Sequence, residues 1–90
     1  MRALRFGGAF RGDLKRIVKR GYDRACLDSV TETLQLQGSL PSSVHPHPLK
    51  GEWKGYWECH IAPDWLLIYK VSEDEVLLAR TGTHADLFRR

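Results

Sequence analysis

Trp65-Leu66-Leu67-Ile68-Tyr69-Lys70-Val71 is apolar almost without a break. Seven residues is strand length, short of a core helix, and a run this continuous belongs in the middle of a sheet. Ala62-Pro63-Asp64 precedes it and Ser72-Glu73-Asp74-Glu75 follows, both turn-like in composition. Connections this short join only antiparallel strands. The flanking segments, Trp53 to Ile61 and Val76 to Thr81, therefore read as its two hairpin partners. Thr83 to Phe88 reads as a short terminal helical turn.

Working outward toward the N-terminus, residues 41–51 hold three prolines, His45, His47 and Gly51. Proline removes a backbone donor and pushes the preceding residue toward extended conformations, so this is a loop or a sheet edge. Two amphipathic patterns come before it. Leu27, Val30 and Leu34 form the apolar stripe of one helix, with Asp23 suited to cap it and Gly38 to end it. Phe10, Leu14, Ile17 and Val18 form the stripe of another, with Gly21 just past its end. The pair is an αα-hairpin of two roughly 12-residue helices. Residues 2–6 read as a first strand, broken by Gly7-Gly8. The expected architecture is α+β: an N-terminal strand and an αα-hairpin packed on one face of a small, mainly antiparallel sheet, the other face open. Residues 1–90 are expected to make one domain. A chain of this size buries only roughly 60–65% of its unfolded surface, so a site must be built on the outside of a single thin core.

Composition narrows the class. No stretch approaches the roughly 18 apolar residues of a membrane span. Met1-Arg2-Ala3-Leu4-Arg5-Phe6 lacks the apolar region of a signal peptide, which makes the cytoplasm the expected compartment. Cys26 and Cys59 form no C-x-x-C pair and are expected as reduced, partly buried thiols. The formal charge of +3 hides an asymmetry: residues 1–24 carry eight basic and two acidic groups, a net +6, and the remainder six basic and nine acidic, a net −3. The basic end suggests an anionic partner, either nucleic acid or an acidic protein segment.

The chemistry-bearing residues lie in the other half. His60 and Asp64 flank one tight turn, and Arg80 and His84 lie at the end of the last strand. Antiparallel pairing brings these ends together. Cleavage of RNA by its own 2′-OH calls for no metal and no cofactor. It needs a base for the 2′-OH, an acid for the 5′-oxygen, and a cation on the phosphate. Imidazoles supply the first two near neutral pH and a guanidinium the third. Each histidine taken alone also has a structural reading. Histidines beside a carboxylate can hold a metal, but no H-E-x-x-H or similar ligand motif occurs. Residue types and spacing alone support a small α+β domain that binds nucleic acid, with ribonuclease activity as one option.

Ordered blocks add to this. His47-Pro48-Leu49-Lys50-Gly51-x-Trp53-Lys54-Gly55-Tyr56, then Glu58-Cys59-His60-Ile61-x-Pro63-Asp64-Trp65-Leu66-Leu67-Ile68-Tyr69, then Arg80-Thr81-Gly82-Thr83-His84-Ala85-x-Leu87-Phe88 resemble the successive blocks of YafQ-type toxins of the RelE/ParE superfamily. Asp13 to Asp23 fits their helical hairpin, so the likeness spans nearly the whole chain. The resemblance implies a RelE-like fold and a ribosome-dependent mRNA endonuclease, the toxin of a type II toxin-antitoxin system, acting by metal-independent attack of the RNA 2′-OH. Its implied partners are an acidic antitoxin, mRNA and the 30S A site. Carried over, His47 matches a general base, His84 a general acid, His60 and Asp64 residues that support proton transfer, and Arg80 the scissile-phosphate arginine. Trp65 and Phe88 match aromatics beside the site, and Lys50 and Lys54 are assigned to substrate. Arg11, Lys15, Arg16, Lys19 and Arg20 of the basic helix are expected to face ribosomal RNA. His45 has no counterpart. Trp57 stands where polar residues are common, and Arg89 and Arg90 follow the usual end. Two other classes stay open: a protein-binding gyrase inhibitor of the ParE type, and a non-catalytic RNA-binding module.

Overall fold

The computed structural model describes residues 1–88; Arg89 and Arg90 lie outside them. The elements follow one another as β1 (Ala3–Phe6), α1 (Phe10–Lys19), α2 (Arg24–Gln37), β2 (His47–Pro48), β3 (Trp57–Ala62), β4 (Trp65–Val71), β5 (Glu75–Gly82) and α3 (His84–Phe88). Short 3-10 turns occupy Ser42–Val44 and Gly51–Trp53. One sheet runs in the order β1-β5-β4-β3-β2, with β1 parallel to β5 and every other pair antiparallel. The apolar run Trp65–Val71 is the central strand, and five of its seven residues are fully buried or nearly so.

The helices end where local chemistry dictates. The Asp23 carboxylate accepts the Ala25 N–H at 2.9 Å, and Gly38 leaves α2 at φ 74°, its N–H reaching the Leu34 carbonyl at 2.8 Å. Both helices lie on one sheet face. Phe10, Ile17, Leu27, Val30 and Leu34 pack there against Cys59, Trp65, Leu67, Tyr69, Val76 and Leu78. The expected stripe of α1 is one residue too wide, since Val18 is 41% exposed.

Two other expectations shift. β3 starts at Trp57, four residues later than the aromatic run suggests. Gly51 at φ 66° and Gly55 at φ 95° fold the intervening residues into a turn in which Tyr56 N–H reaches the Trp53 carbonyl. The proline segment takes the sheet-edge form expected of it, because Pro48 keeps His47 extended and these two residues pair with β3 as an edge strand. Both thiols are free, but Cys26 is exposed and only Cys59 is buried, where loss of water pushes its thiol up to about 12.

Candidate active site on the open sheet face

Residues directly opposite in neighbouring strands point to the same face. The register therefore writes out the face away from the helices. His47 of β2 pairs with Glu58 of β3, Glu58 with Ile68 of β4, and Ile68 with Arg80 of β5. One step along, His60 pairs with Leu66 and Leu66 with Gly82. A bulge between His60 and Ala62 precedes the turn that presents Asp64. Leu66 and Ile68 are fully buried, so this face has an aliphatic floor. Leu49, Glu58, His84 and Phe88 line a concavity of about 290 Å³ on it.

His60 stands amid the other histidines. Ring centroids lie 5.6 Å away for His45, 6.5 Å for His47 and 6.1 Å for His84. His84 is the first residue of α3 and is held twice by one atom. Asp64 Oδ1 accepts its backbone N–H at 3.0 Å and faces its Nδ1 at 2.7 Å. Those contacts hold the Asp64 carboxyl below the usual carboxylate range, the imidazole contact contributing most. A carboxylate at Nδ1 fixes the proton there and leaves Nε2 for chemistry. Asp64 takes the left-handed conformation, φ 53°, that a short polar side chain at a tight turn tolerates.

His47 is bound differently. Its Nδ1 lies 3.0 Å from the His45 carbonyl and its Nε2 3.2 Å from Glu58 Oε1. A carbonyl can only accept, so Nδ1 donates and Nε2 is the nitrogen that faces Glu58. Glu58 is 6% exposed, and its Oε2 is the one buried side-chain oxygen without a hydrogen-bond partner among the described residues.

The remaining expected site residues divide. Phe88 lines the concavity with His84. Lys50 and Lys54 are exposed on the turn that joins β2 to β3. Arg80 shares the row of His47 and Glu58 by register, but its guanidinium turns to α1. Nε donates to Asp13 Oδ2 at 2.6 Å and Nη2 to Asp13 Oδ1 at 3.1 Å. Trp65 is a correction. It is 1% exposed on the helix-side face, edge-on to Tyr22, with its indole N–H donated to Thr81 Oγ1 at 2.8 Å, so it is core and cannot touch a substrate. Of the basic residues expected to face ribosomal RNA, Arg11, Lys15, Arg16, Lys19 and Arg20 are all exposed, but the last is engaged within the fold. Arg20 clasps Asp86 of α3, with contacts of 2.6 and 3.1 Å.

The sequence reading passed over two residues of this site. His45 has no counterpart in the resemblance, yet its ring packs edge-on to His60 and its carbonyl holds His47. Glu58 was not singled out. Its signal was available: it lies two residues from His60 on one strand, so both side chains share a face.

The comparisons agree with this architecture. The family described as "Bacterial toxin of type II toxin-antitoxin system, YafQ" matches residues 2–89. The mRNA interferase toxin YafQ of Escherichia coli strain K12 is 40% identical over 89 residues, 97% of this chain and 96% of that protein. Among solved structures, a copper-bound mutant toxin from Helicobacter pylori superposes with a TM-score of 0.90 at 39% identity, covering 98% of this chain and all of that one. The YafQ chain of the E. coli DinJ-YafQ complex superposes at 0.87 with 39% identity, covering 98% and 99%. With a family match over nearly its whole length and a relative that similar, the chain belongs to the YafQ family of bacterial toxins of type II toxin-antitoxin systems.

Proposed function

We propose that residues 1–90 act as one endoribonuclease unit that cleaves mRNA on the ribosome in the cytoplasm. The observation that carries this reading is the paired arrangement around one concavity: Asp64 orients His84 on one side, and Glu58 faces His47 on the other. In-line cleavage needs two proton-transfer groups on opposite sides of a phosphate, and the site offers two. His84, with Nε2 free, protonates the departing 5′-oxygen. The Glu58–His47 pair serves the 2′-OH. Glu58 Oε2 is buried, so the half-exposed His47 is the member of the pair that reaches the 2′-OH: its Nε2 takes the proton, and Glu58 Oε1 beside it stabilises the charge that forms. The base is then the histidine implied by resemblance, with the Glu58 carboxylate behind it in support. Phe88 stacks on a splayed base. Lys50 and Lys54 meet the strand entering beside β2. Arg80, once its guanidinium is shared with a phosphate, supplies a fork that Asp13 holds in place. The described residues contain no group of three or more His, Cys, Asp or Glu side chains placed to hold a metal ion, and no step is routed through one.

Two partners follow from the outer surface of α1. The exposed cations Arg11, Lys15, Arg16 and Lys19 suit ribosomal RNA phosphates. Beside them Phe6, Phe10, Leu14 and Val18 floor a groove of about 570 Å³ rimmed by Arg11, Lys15 and Lys19. An acidic amphipathic antitoxin segment matches such a groove in shape and charge.

Cleavage of a reporter message in a translating extract tests the assignment. Replacing His84 by Ala or Glu58 by Gln should cut the rate about 100-fold or more with the far-UV spectrum unchanged. Wild-type cleavage by His84→Ala would end the assignment of His84 as the acid, and no cleavage of the message by the wild-type protein would end the ribonuclease reading. Intact message with damaged DNA would favour the gyrase-inhibitor class.

A further inference from the structure

α3 carries two site residues, His84 at its start and Phe88 at its end, on five residues of helix. Helices shorter than about 12–15 residues do not hold themselves in water, so the placement of α3 is borrowed from its surroundings. Asp64 pins the first residue only. One pinned end leaves the helix axis free to swing, and Phe88 would swing furthest.

A second anchor is built around Asp86. Its carboxylate accepts the Thr83 N–H at 3.0 Å, while Thr83 Oγ1 accepts the Asp86 N–H at 3.2 Å, a reciprocal box across the first turn. Both carboxylate oxygens also face Arg20, which lies at the C-terminal cap of α1. A two-pronged guanidinium contact fixes direction as well as distance. The pair is partly shielded, the Asp86 side chain being 13% exposed and that of Arg20 42%. Gly82 is what lets Asp86 come so close, because a Cβ there would stand 2.9 Å from Asp86 Cβ.

We propose that Arg20 is a positioning residue for RNA cleavage: its clasp on Asp86 sets the axis of α3 and so places Phe88 and the His84 imidazole over the concavity. Arg20 touches no substrate in this role. The proposal rests on the reading of His84 and Phe88 as site residues. It also ties the cationic helix to the catalytic one through a single ion pair.

The test uses the full chain with Arg20→Ala, Arg20→Lys, Asp86→Asn and the Arg20→Ala/Asp86→Asn double variant. Initial rates of message cleavage give kcat and KM. NMR of the Phe88 and His84 ring signals in the free protein reports placement without any RNA. Each of Arg20→Ala and Asp86→Asn should lower kcat about tenfold with KM within about twofold, since small misplacements of reacting groups cost rate rather than binding. The double variant should be no worse than either single one, and Phe88 signals should shift or broaden in all three. Arg20→Lys should recover part of kcat, since it restores the charge without the fork. A raised KM at unchanged kcat, additive with Asp86→Asn, would overturn the proposal and make Arg20 an RNA contact. Unchanged rates with unchanged Phe88 signals would overturn it as well. If His84→Ala and Phe88→Ala both cleave normally, the site reading fails instead, and the ring signals still report on the clasp.

Discussion

Asp13→Ala offers the sharpest test of how α1 is held to the sheet. The Asp13 carboxylate is 3% exposed and accepts from three groups. Two are on Arg80, at 2.6 and 3.1 Å, and one is the Thr81 backbone N–H at 3.3 Å. Arg16 adds a longer contact at 3.6 Å. β1 pairs with β5 only as far as Leu78, so beyond that point the edge of β5 relies on Asp13. Breaking a buried pair from one side costs about 3–5 kcal/mol. Arg80 keeps 29% of its side chain in water and can turn outward, which lowers the figure. Thr81 is fully buried, and its orphaned N–H adds back about 1–3 kcal/mol. The expected loss is about 2–4 kcal/mol, against a total of about 5–13 kcal/mol for a domain this size. Urea unfolding followed by tryptophan fluorescence should show the midpoint falling by about 1 M or more. A double-mutant cycle with Arg80→Ala should return a coupling of about 1 kcal/mol or more. A loss below about 0.5 kcal/mol, the level of an ordinary surface change, would refute the view that Asp13 closes this edge.

Other outcomes are as specific. Thr81→Val strands the Trp65 indole N–H in the core and should cost about 1–3 kcal/mol in a thermal melt, with a changed near-UV signal. Gly82→Ala forces a Cβ against Asp86 at φ 153° and should abolish cleavage while the melting transition stays cooperative. Arg20, first, and then Thr83 hold the Asp86 carboxyl well below the usual carboxylate range. Because the folded value is depressed, this contribution is present above the unfolded value of about 3.9 and is lost as pH falls toward the folded one. Urea midpoints measured from pH 6 to pH 3 should therefore fall less steeply for Asp86→Asn than for wild type. Val18→Asp, on the floor of the α1 groove, should weaken binding of an acidic antitoxin about tenfold or more with the far-UV spectrum unchanged.

The central strand, the helical hairpin with its Asp23 and Gly38 ends, and the antiparallel order of β3, β4 and β5 were legible from local pattern. Each depends on chemistry within a few residues of itself. The parallel docking of β1 on β5 was not, because it joins residues about seventy positions apart. Trp65 was misplaced for a related reason. The ring next to the Asp64 carboxylate in sequence points to the helix-side sheet face, and only register decides which. Glu58 was missed because a buried carboxylate announces itself only once its neighbours are known. Arg20 looked like its exposed neighbours on α1 until its partner on α3 was seen.

The two-residue strand β2 has a consequence for life outside the antitoxin complex. It forms one rim of the sheet, and both residues flanking His47 are prolines, Pro46 and Pro48. Proline offers no N–H, so this rim presents few donors to a passing extended chain. An unpaired rim invites templated addition of another molecule, and with it fibrous aggregation. A toxin freed from its antitoxin carries this rim uncovered, where such addition would remove it from solution. The segment that carries His47 to the site is thus also the one that denies this rim a further strand.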